Sequence, residues 1–149
     1  MKKKLSERAK MRIRIAKDVL LQLKERKLKP AHLYADFSGK KSIEDLKPGT
    51  DLQPLFKEKN CQVCAIGALF VAKVRRYNDA QTTTYAFDQK YSDFIGNAFI
   101  HKNLRNIFSK NQLNDMEAAY ESQLTYMTDK ERMTWIMKNI IENGGTFRP

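Results

Sequence analysis

The most constraining feature of the sequence is an apolar segment in its middle, CQVCAIGALFVAKV, which spans residues 61–74. Wrapped around a helix, the segment is apolar on nearly every side, so it does not fit a surface position with one face in water. It is shorter than the roughly 20 apolar residues that a membrane span requires. We therefore predict a helix from a cap at Asn60 to about Arg76, buried at the centre of the domain.

Further helices are predicted on both sides of this segment, because apolar residues recur there at spacings of three and four. A first helix is expected from a cap at Ser6 to about Lys27, where Lys29-Pro30 ends it. Its apolar stripe consists of Leu5, Ala9, Ile13, Ala16, Leu20 and Leu23. Two short helices are expected between Tyr91 and Phe108, with a break at Leu104.

Two capping boxes predict where the last two helices begin. Ser109 is followed three residues later by Gln112, and Thr128 by Glu131. Asn143-Gly144-Gly145 then provides a left-handed stop for the final helix.

These elements predict a mainly α fold with about five or six helices around the buried central helix. We expect one domain over residues 1–149, with residues 1–4 flexible, because a chain of this length buries a sufficient core without disulfides. The segments LYADF (33–37) and TTTYAF (82–87) are rich in residues that favour strands, and they allow a small β-hairpin.

Positive charge is concentrated at the N-terminus. The net charge is +11, and residues 1–30 hold twelve Lys or Arg against three acids, a balance of +9. Such asymmetry indicates a polyanionic partner, either nucleic acid, an acidic protein surface or anionic lipid. The alternative interpretation is a solubilising surface without a specific partner.

The first helix supplies the candidate anion-binding residues Arg8, Lys10, Arg14 and Lys17. At 100° per residue, Lys10, Arg14 and Lys17 fall opposite or beside the apolar stripe and project into solvent together. Arg12 lies close to the stripe, so a structural role is the alternative for it.

The two cysteines, Cys61 and Cys64, raise the question of a redox or zinc site. We expect them to be reduced, because a reducing cytosol keeps cysteines as thiols and a bridge between such close positions would not join distant parts of the chain. A redox role is disfavoured because no strand is predicted before the helix, and their spacing with His32 and His101 matches no standard zinc site. We interpret both as small packing residues and predict neither a metal nor a cofactor.

No catalytic residue is identified from the sequence. There is no glycine-rich phosphate loop, since Gly67 is isolated and Gly144-Gly145 ends a helix. No pair of carboxylates is marked by a motif as acid and base. We therefore expect a non-enzyme, with an uncharacterised enzyme or a thiol or zinc protein as the remaining alternative.

Trp135 is a candidate interface residue. On the predicted last helix it points about 160° away from the apolar stripe, between Arg132 and Lys138 in sequence. The expectation for a tryptophan is that a second element covers it. The alternatives are an anchor at a protein interface or a platform on which a base stacks.

Two segments, CxVCAxGALF at residues 61–70 and NIIENGGTFRP at residues 139–149, resemble a group of small proteins encoded in bacterial and phage genomes. The resemblance implies a bacterial or phage origin. That group has no known activity, so the resemblance implies no site residue.

The sequence thus predicts a non-catalytic basic protein that binds a polyanion, nucleic acid first, through its N-terminal helix. The alternative is a phage or bacterial inhibitor or adaptor that docks on an acidic protein surface. The first residues, MKKKLSERAK, continue into a charged amphipathic segment instead of an apolar run, so a cytoplasmic location is expected and secretion is not.

Overall fold

The computed structural model of the chain describes residues 4–32, 34–36, 49, 51–53, 56, 61–77, 94–122 and 126–149. The helices in this part are α1 (Glu7–Lys24), α2 (Ala65–Tyr77), α3 (Asn97–Leu104), α4 (Lys110–Glu121) and α5 (Asp129–Glu142). The strands are β1 (Leu28–Pro30), β2 (Ala35–Asp36), β3 (Cys61–Val63) and β4 (Phe94–Ile95). The fold is mainly α in a single domain, which confirms the predicted class. Within the described residues, no helix is both long and apolar enough to cross a bilayer.

Helix α2 is the centre of the fold. All of its residues from Ala65 to Arg75 are buried, and α1, α3 and α4 pack against it. The prediction of a buried central helix is therefore confirmed, but its start is corrected. The helix begins at Ala65, because Cys61–Val63 form β3, which pairs with a strand on each side. The predicted cap, Asn60, lies outside the described residues.

The strands form one small sheet in the order β1-β3-β2-β4. β1 runs parallel to β3, with Leu28 opposite Cys61, and β2 is antiparallel to both β3 and β4. The strand predicted in LYADF is present as Ala35–Asp36, whereas TTTYAF lies outside the described residues. The described strands thus form a sheet with a parallel pair in place of the predicted hairpin.

Helix α1 ends at Lys24, earlier than the predicted Lys27. Arg26 adopts a left-handed φ of 62°, and the Lys27 amide donates to the Gln22 carbonyl at 2.9 Å. This turn directs the chain into β1, where Pro30 occupies an edge strand that needs no donor at that position. The helix is therefore ended by its own C-terminal turn and not by the proline.

The buried face of α1 also differs from the predicted stripe. Ile15 and Val19 are buried, whereas Leu5 is 39% exposed and Ile13 is only partly covered. The cause is Arg12, which occupies a half-buried position on the face that packs against the rest of the domain. A stripe defined by apolar residues alone does not include an arginine, so the predicted stripe is rotated around the helix relative to the buried face.

In the described residues before α4, 94–109, one helix is present where two short ones were predicted. Phe94–Ile95 are in strand β4, and α3 begins at Asn97 and ends at Leu104, where the break was predicted. Residues 105–108 form a turn. Phe94 and Ile95 fit the pattern of the first predicted helix, but in the structure they pair with β2 as a strand.

The ends of the last two helices follow the sequence closely. Ser109 Oγ accepts from the Gln112 amide at 3.1 Å, but the Gln112 side chain bonds the Phe147 backbone and does not complete the predicted capping box. Thr128 and Glu131 form the complete capping box. After α5, Gly144 and Gly145 have φ angles of 67° and 94°, and the Gly145 amide donates to the Ile140 carbonyl at 2.8 Å. This is the glycine-based stop that the sequence predicts.

Gly67 generates a prediction about packing in the core. A Cβ at this position would overlap the backbone carbonyl of Tyr34, which cannot move as a flexible side chain can. We expect Gly67→Ala to lower the free energy of unfolding by about 3 kcal/mol or more. The matched control is Gly144→Ala, which adopts a left-handed φ but meets only a Leu5 side-chain carbon, and we expect it to cost about 1 kcal/mol. Equal midpoints of the two variants in urea unfolding would contradict this packing.

Candidate functional site

The outward surface of α1 carries a row of cations. Arg14, Lys17 and Lys24 are exposed and Lys10 is partly exposed, all on the side away from the buried residues of the helix. Lys10 Nζ lies 3.3 Å from Glu7 Oε1, an exposed contact of little strength that leaves the lysine able to reorient. We call Lys10, Arg14, Lys17 and Lys24 the basic row. Their positions fall within an arc of about 80° on the helix, so one extended ligand can reach all four.

Arg8 does not belong to this row, although the sequence suggested it as a binding residue. Arg8 is two positions before Lys10, which is a rotation of about 200° around the helix. Its charge is felt by Arg12 on the other flank, where burial and then the Arg8 charge lower the pKa of Arg12. Arg8 is exposed, but it projects away from the surface that the basic row forms.

Arg12 connects three parts of the chain. Its Nε donates to the Gly145 carbonyl at 2.7 Å, its Nη1 donates to the Ile107 carbonyl at 2.7 Å, and its guanidinium lies over the Phe108 ring at 6.0 Å. These bonds join α1 to the end of α5 and to the turn after α3. The structural alternative considered for Arg12 fits this geometry.

Arg12 and Arg8 form a matched pair for a stability test. Arg12→Gln would remove charge-assisted hydrogen bonds to two carbonyls, and we expect it to lower the free energy of unfolding by about 2 to 4 kcal/mol. Arg8→Gln removes the same charge from an exposed position and should change it by about 0.5 kcal/mol or less. Urea unfolding measures both values. A mild effect of Arg12→Gln would show that these bonds do not hold α1 in place.

A second group of cations lies where the C-terminal end of α2 meets α1. Asp18, Gln22, Lys27, Arg75 and Arg76 line a polar cleft of about 440 Å³. Arg75 is buried, and its Nε donates to the Phe56 carbonyl at 2.6 Å and its Nη1 to Gln22 Oε1 at 2.8 Å. Arg76 and Lys27 are exposed. They therefore extend the positive surface beside α1, whereas Arg75 supports it from below.

Asp18 reduces the net positive charge of this cleft. Burial raises the pKa of Asp18, against the opposing effects of Arg76, Arg75 and a hydrogen bond from Gln22. A carboxylate among three cations limits how strongly the cleft attracts a single anion. The cleft is therefore an extension of the basic surface and not a separate anion pocket.

Trp135 is only partly covered. It is 39% exposed, and the Phe147 ring contacts it edge to face at a centroid distance of 5.6 Å. The expectation that a second element covers it is thus met only in part, by the segment after α5. Beside the indole lies a shallow apolar groove of about 420 Å³, which we call the Trp135 groove; its lining consists of Met127, Lys130, Glu131, Thr134, Trp135 and Lys138.

A cluster of two carboxylates on α4 with histidines from α3 and from the segment after β1 has no counterpart in the sequence-based prediction. His101 Nε2 lies 3.3 Å from Glu117 Oε2, and the Tyr34 hydroxyl donates to the other oxygen of Glu117. Burial, and then the hydrogen bond to Glu117, raise the pKa of Tyr34. His32 Nδ1 lies 3.0 Å from Glu121 Oε2. The cluster joins the segment after β1 to α3 and α4.

The sequence contains one signal of this cluster. Glu117 and Glu121 are four residues apart and therefore share a face of α4. Their partners are distant in sequence and show no periodic relation to them. Within the described part of the chain, no group of three or more His, Cys, Asp or Glu side chains is arranged to hold a metal ion.

The CxxC motif lies across the junction of β3 and α2. Cys61 is in the strand and Cys64 immediately precedes the helix, so the expectation that no strand comes before the helix is wrong. Both thiols are buried, and burial raises the pKa of each to about 12. A reactive cysteine requires the opposite shift. Their environment is that of packing residues.

Thiol reactivity tests the state of Cys61 and Cys64. Each pKa is raised from 9.0 to about 12, so the thiolate fraction in mildly alkaline buffer is about a thousandfold smaller than in the unfolded chain. Alkylation by iodoacetamide should be slower in the native protein by about that factor. Rapid labelling under native conditions would contradict the packing interpretation.

The same shifts predict a dependence of stability on pH. A raised thiol pKa contributes stability that is complete below the ordinary value of 9.0 and is lost as the pH rises toward about 12. The double substitution of Cys61 and Cys64 by alanine should therefore flatten the alkaline decline in the free energy of unfolding. If the alkaline decline in the free energy of unfolding is unchanged in this variant, titratable groups other than these two thiols cause it.

Comparisons with known proteins found no matching family model, no matching curated protein and no matching solved structure.

Proposed function

We propose that the protein is a non-catalytic basic binding protein that engages a polyanion, nucleic acid first, through the basic row of α1. The observation that carries this proposal is the placement of Lys10, Arg14, Lys17 and Lys24 together on the outward surface of one helix. The row extends about 21 Å along the helix axis. Such a line of fixed charges suits the regularly spaced phosphates of a nucleic acid backbone.

The neighbouring cations support the same proposal. Asp18 and Gln22 lie one and two turns beyond Arg14 along α1, and both line the cleft with Arg76 and Lys27. A polyanion that follows the basic row therefore reaches further positive charge at the end of α2. The net charge of +11 adds a long-range attraction to any polyanion. A cytoplasmic location in a bacterial or phage-infected cell fits such a partner.

The alternative is an inhibitor or adaptor that docks on an acidic protein surface. Leu21 favours it, because this side chain is 49% exposed between Lys17 and Lys24 in the row. An exposed leucine contributes to a protein interface by burying apolar area, whereas phosphates offer it no apolar surface. Leu21→Gln should therefore leave nucleic acid binding unchanged and weaken binding to a protein partner.

The salt dependence of binding tests the nucleic acid proposal. Replacement of Lys10, Arg14 and Lys17 by glutamine should weaken binding to duplexes of unrelated sequence. Each phosphate contact releases counterions from the duplex, so binding with fewer contacts releases fewer of them. The slope of log K against log salt should flatten by about 2 to 3, at ~0.9 per contact. Folding should be retained, since none of the three positions is buried.

The matched control removes the same charges from Lys102, Arg105 and Lys110, which are exposed on α3, the turn after it and α4. This control should retain most of the slope, because only the net charge changes. Equal slopes for the two triple variants, or no binding by the wild-type protein, would remove the nucleic acid proposal and favour the acidic protein surface.

A further inference from the structure

Trp135 has the features of a stacking platform. Because it is 39% exposed, a large part of the indole is open to solvent, although tryptophan is usually mostly buried. Its contact with Phe147 is edge to face, with an interplanar angle of 83°, and fixes the ring against the segment after α5. An aromatic ring that is fixed in position and accessible loses little conformational freedom when a ligand stacks on it.

Two lysines flank the indole on the same helix. Lys130 and Lys138 are both exposed and line the groove, about 12 Å apart along the axis of α5. This separation is several times the axial rise of about 3.4 Å per phosphate in one strand of a duplex, so the two lysines contact different phosphates. A strand that contacts both lysines therefore passes beside Trp135. Arg148 is also exposed, and its backbone is held by Asn139 through bonds of 2.8 and 2.6 Å.

The acidic residue that lines the groove is already engaged. Glu131 Oε1 accepts from the Thr128 amide at 3.0 Å as part of the capping box. This bond and the one to the Thr128 side chain lower the pKa of Glu131. Its negative charge is thus held at the N-terminus of α5, where the helix dipole stabilises it. Lys130 and Lys138 outnumber this carboxylate, so the lining of the groove has a net positive charge.

From these features we propose that the Trp135 groove binds an unpaired base of single-stranded nucleic acid, which stacks on Trp135 while Lys130 and Lys138 contact the flanking phosphates. This inference rests on the proposed function and adds the class of nucleic acid and a second contact surface. A base needs only an exposed ring face and nearby positive charge.

The shape of the groove favours a base over an acidic peptide. All six described lining residues lie on α5 or just before it, so in the described part of the chain the groove has one helical wall. Anchor side chains of peptides are instead held in well-packed pockets that exclude water. A flat base contacts such a one-sided surface without a pocket.

The lining of the groove also predicts that binding tolerates different base sequences in the nucleic acid. The hydroxyl of Thr134 donates to the Lys130 carbonyl at 2.7 Å, so it is engaged within the helix. The remaining apolar lining, Met127 and the indole, reads no base edge. Binding should therefore depend on the presence of bases and only weakly on which bases they are.

Intrinsic fluorescence tests the inference directly, because Trp135 is the one tryptophan in the chain. An oligothymidylate about ten nucleotides long should quench it in a saturable way. An abasic oligonucleotide of the same length keeps the phosphates and should bind without comparable quenching. Trp135→Leu should weaken binding to oligothymidylate about tenfold, and Trp135→Phe should recover much of the loss.

The lysines are tested by salt dependence with their own control. Replacement of Lys130 and Lys138 by glutamine should flatten the single-strand slope by about 1.4, at ~0.7 per contact. The matched control replaces Lys102 and Lys110 and should flatten it less. Thermal unfolding of Trp135→Leu and Trp135→Phe verifies that both variants are folded at the temperature of the titrations.

The outcomes separate this inference from the proposed function. If duplex binding depends on the basic row but oligothymidylate and the abasic strand quench Trp135 equally, the stacking inference is wrong and the proposed function stands. If neither duplex nor single strand binds, both are wrong. If an acidic peptide quenches Trp135 and oligothymidylate does not, the groove is a protein-docking surface and the stacking inference is again wrong.

Discussion

The fold depends on the burial of α2, a helix without a polar face. Every residue from Ala65 to Arg75 is covered, so other elements must surround the helix on all sides. At Gly67 the backbone of Tyr34 comes so close that any side chain would displace it. This contact fixes the distance between α2 and the segment that leads into β2. The sheet and the surrounding helices are thus arranged so that they cover a nearly wholly apolar helix on all sides.

Basic side chains hold the surrounding elements together by donating to backbone carbonyls. Lys73 Nζ donates to the Asn103 carbonyl at 2.7 Å, and Arg132 donates to the Tyr120 and Met127 carbonyls at 2.7 and 2.8 Å. Arg12 and Arg75 make similar bonds. The Asn103 and Tyr120 carbonyls lie in the last turns of α3 and α4, where carbonyls lack intrahelical partners and carry the negative end of the helix dipole, so they accept well from cations. Buried charge is tolerated here because it is hydrogen-bonded where the chain turns.

Local signals in the sequence predicted more of the fold than long-range ones. Caps at Ser6, Ser109 and Thr128 depend on residues three or four positions away, and each begins a helix in the structure. Strand β3 was missed because its residues also fit a helical pattern, and only pairing with β1 and β2 decides between the two. The Tyr34–Glu117–His101 contacts were missed for the same reason, since no local pattern connects residues so far apart. Arg8 stays a candidate anion-binding residue, but a rotation of 100° per residue places it outside the basic row.

The division of cations between structure and surface explains why net charge alone does not define a binding site. Arg12, Lys73, Arg75 and Arg132 donate to carbonyls of the chain itself, so they hold its elements together while their charges contribute to the field around the protein. The basic row keeps its side chains outward, while Arg12 anchors the helix that carries it to α5 and to the turn after α3. Charges on an anchored helix lose little backbone freedom on binding, whereas the same charges on a flexible segment would lose more. The half-buried Arg12 therefore supports the helix whose exposed cations we propose as the binding surface.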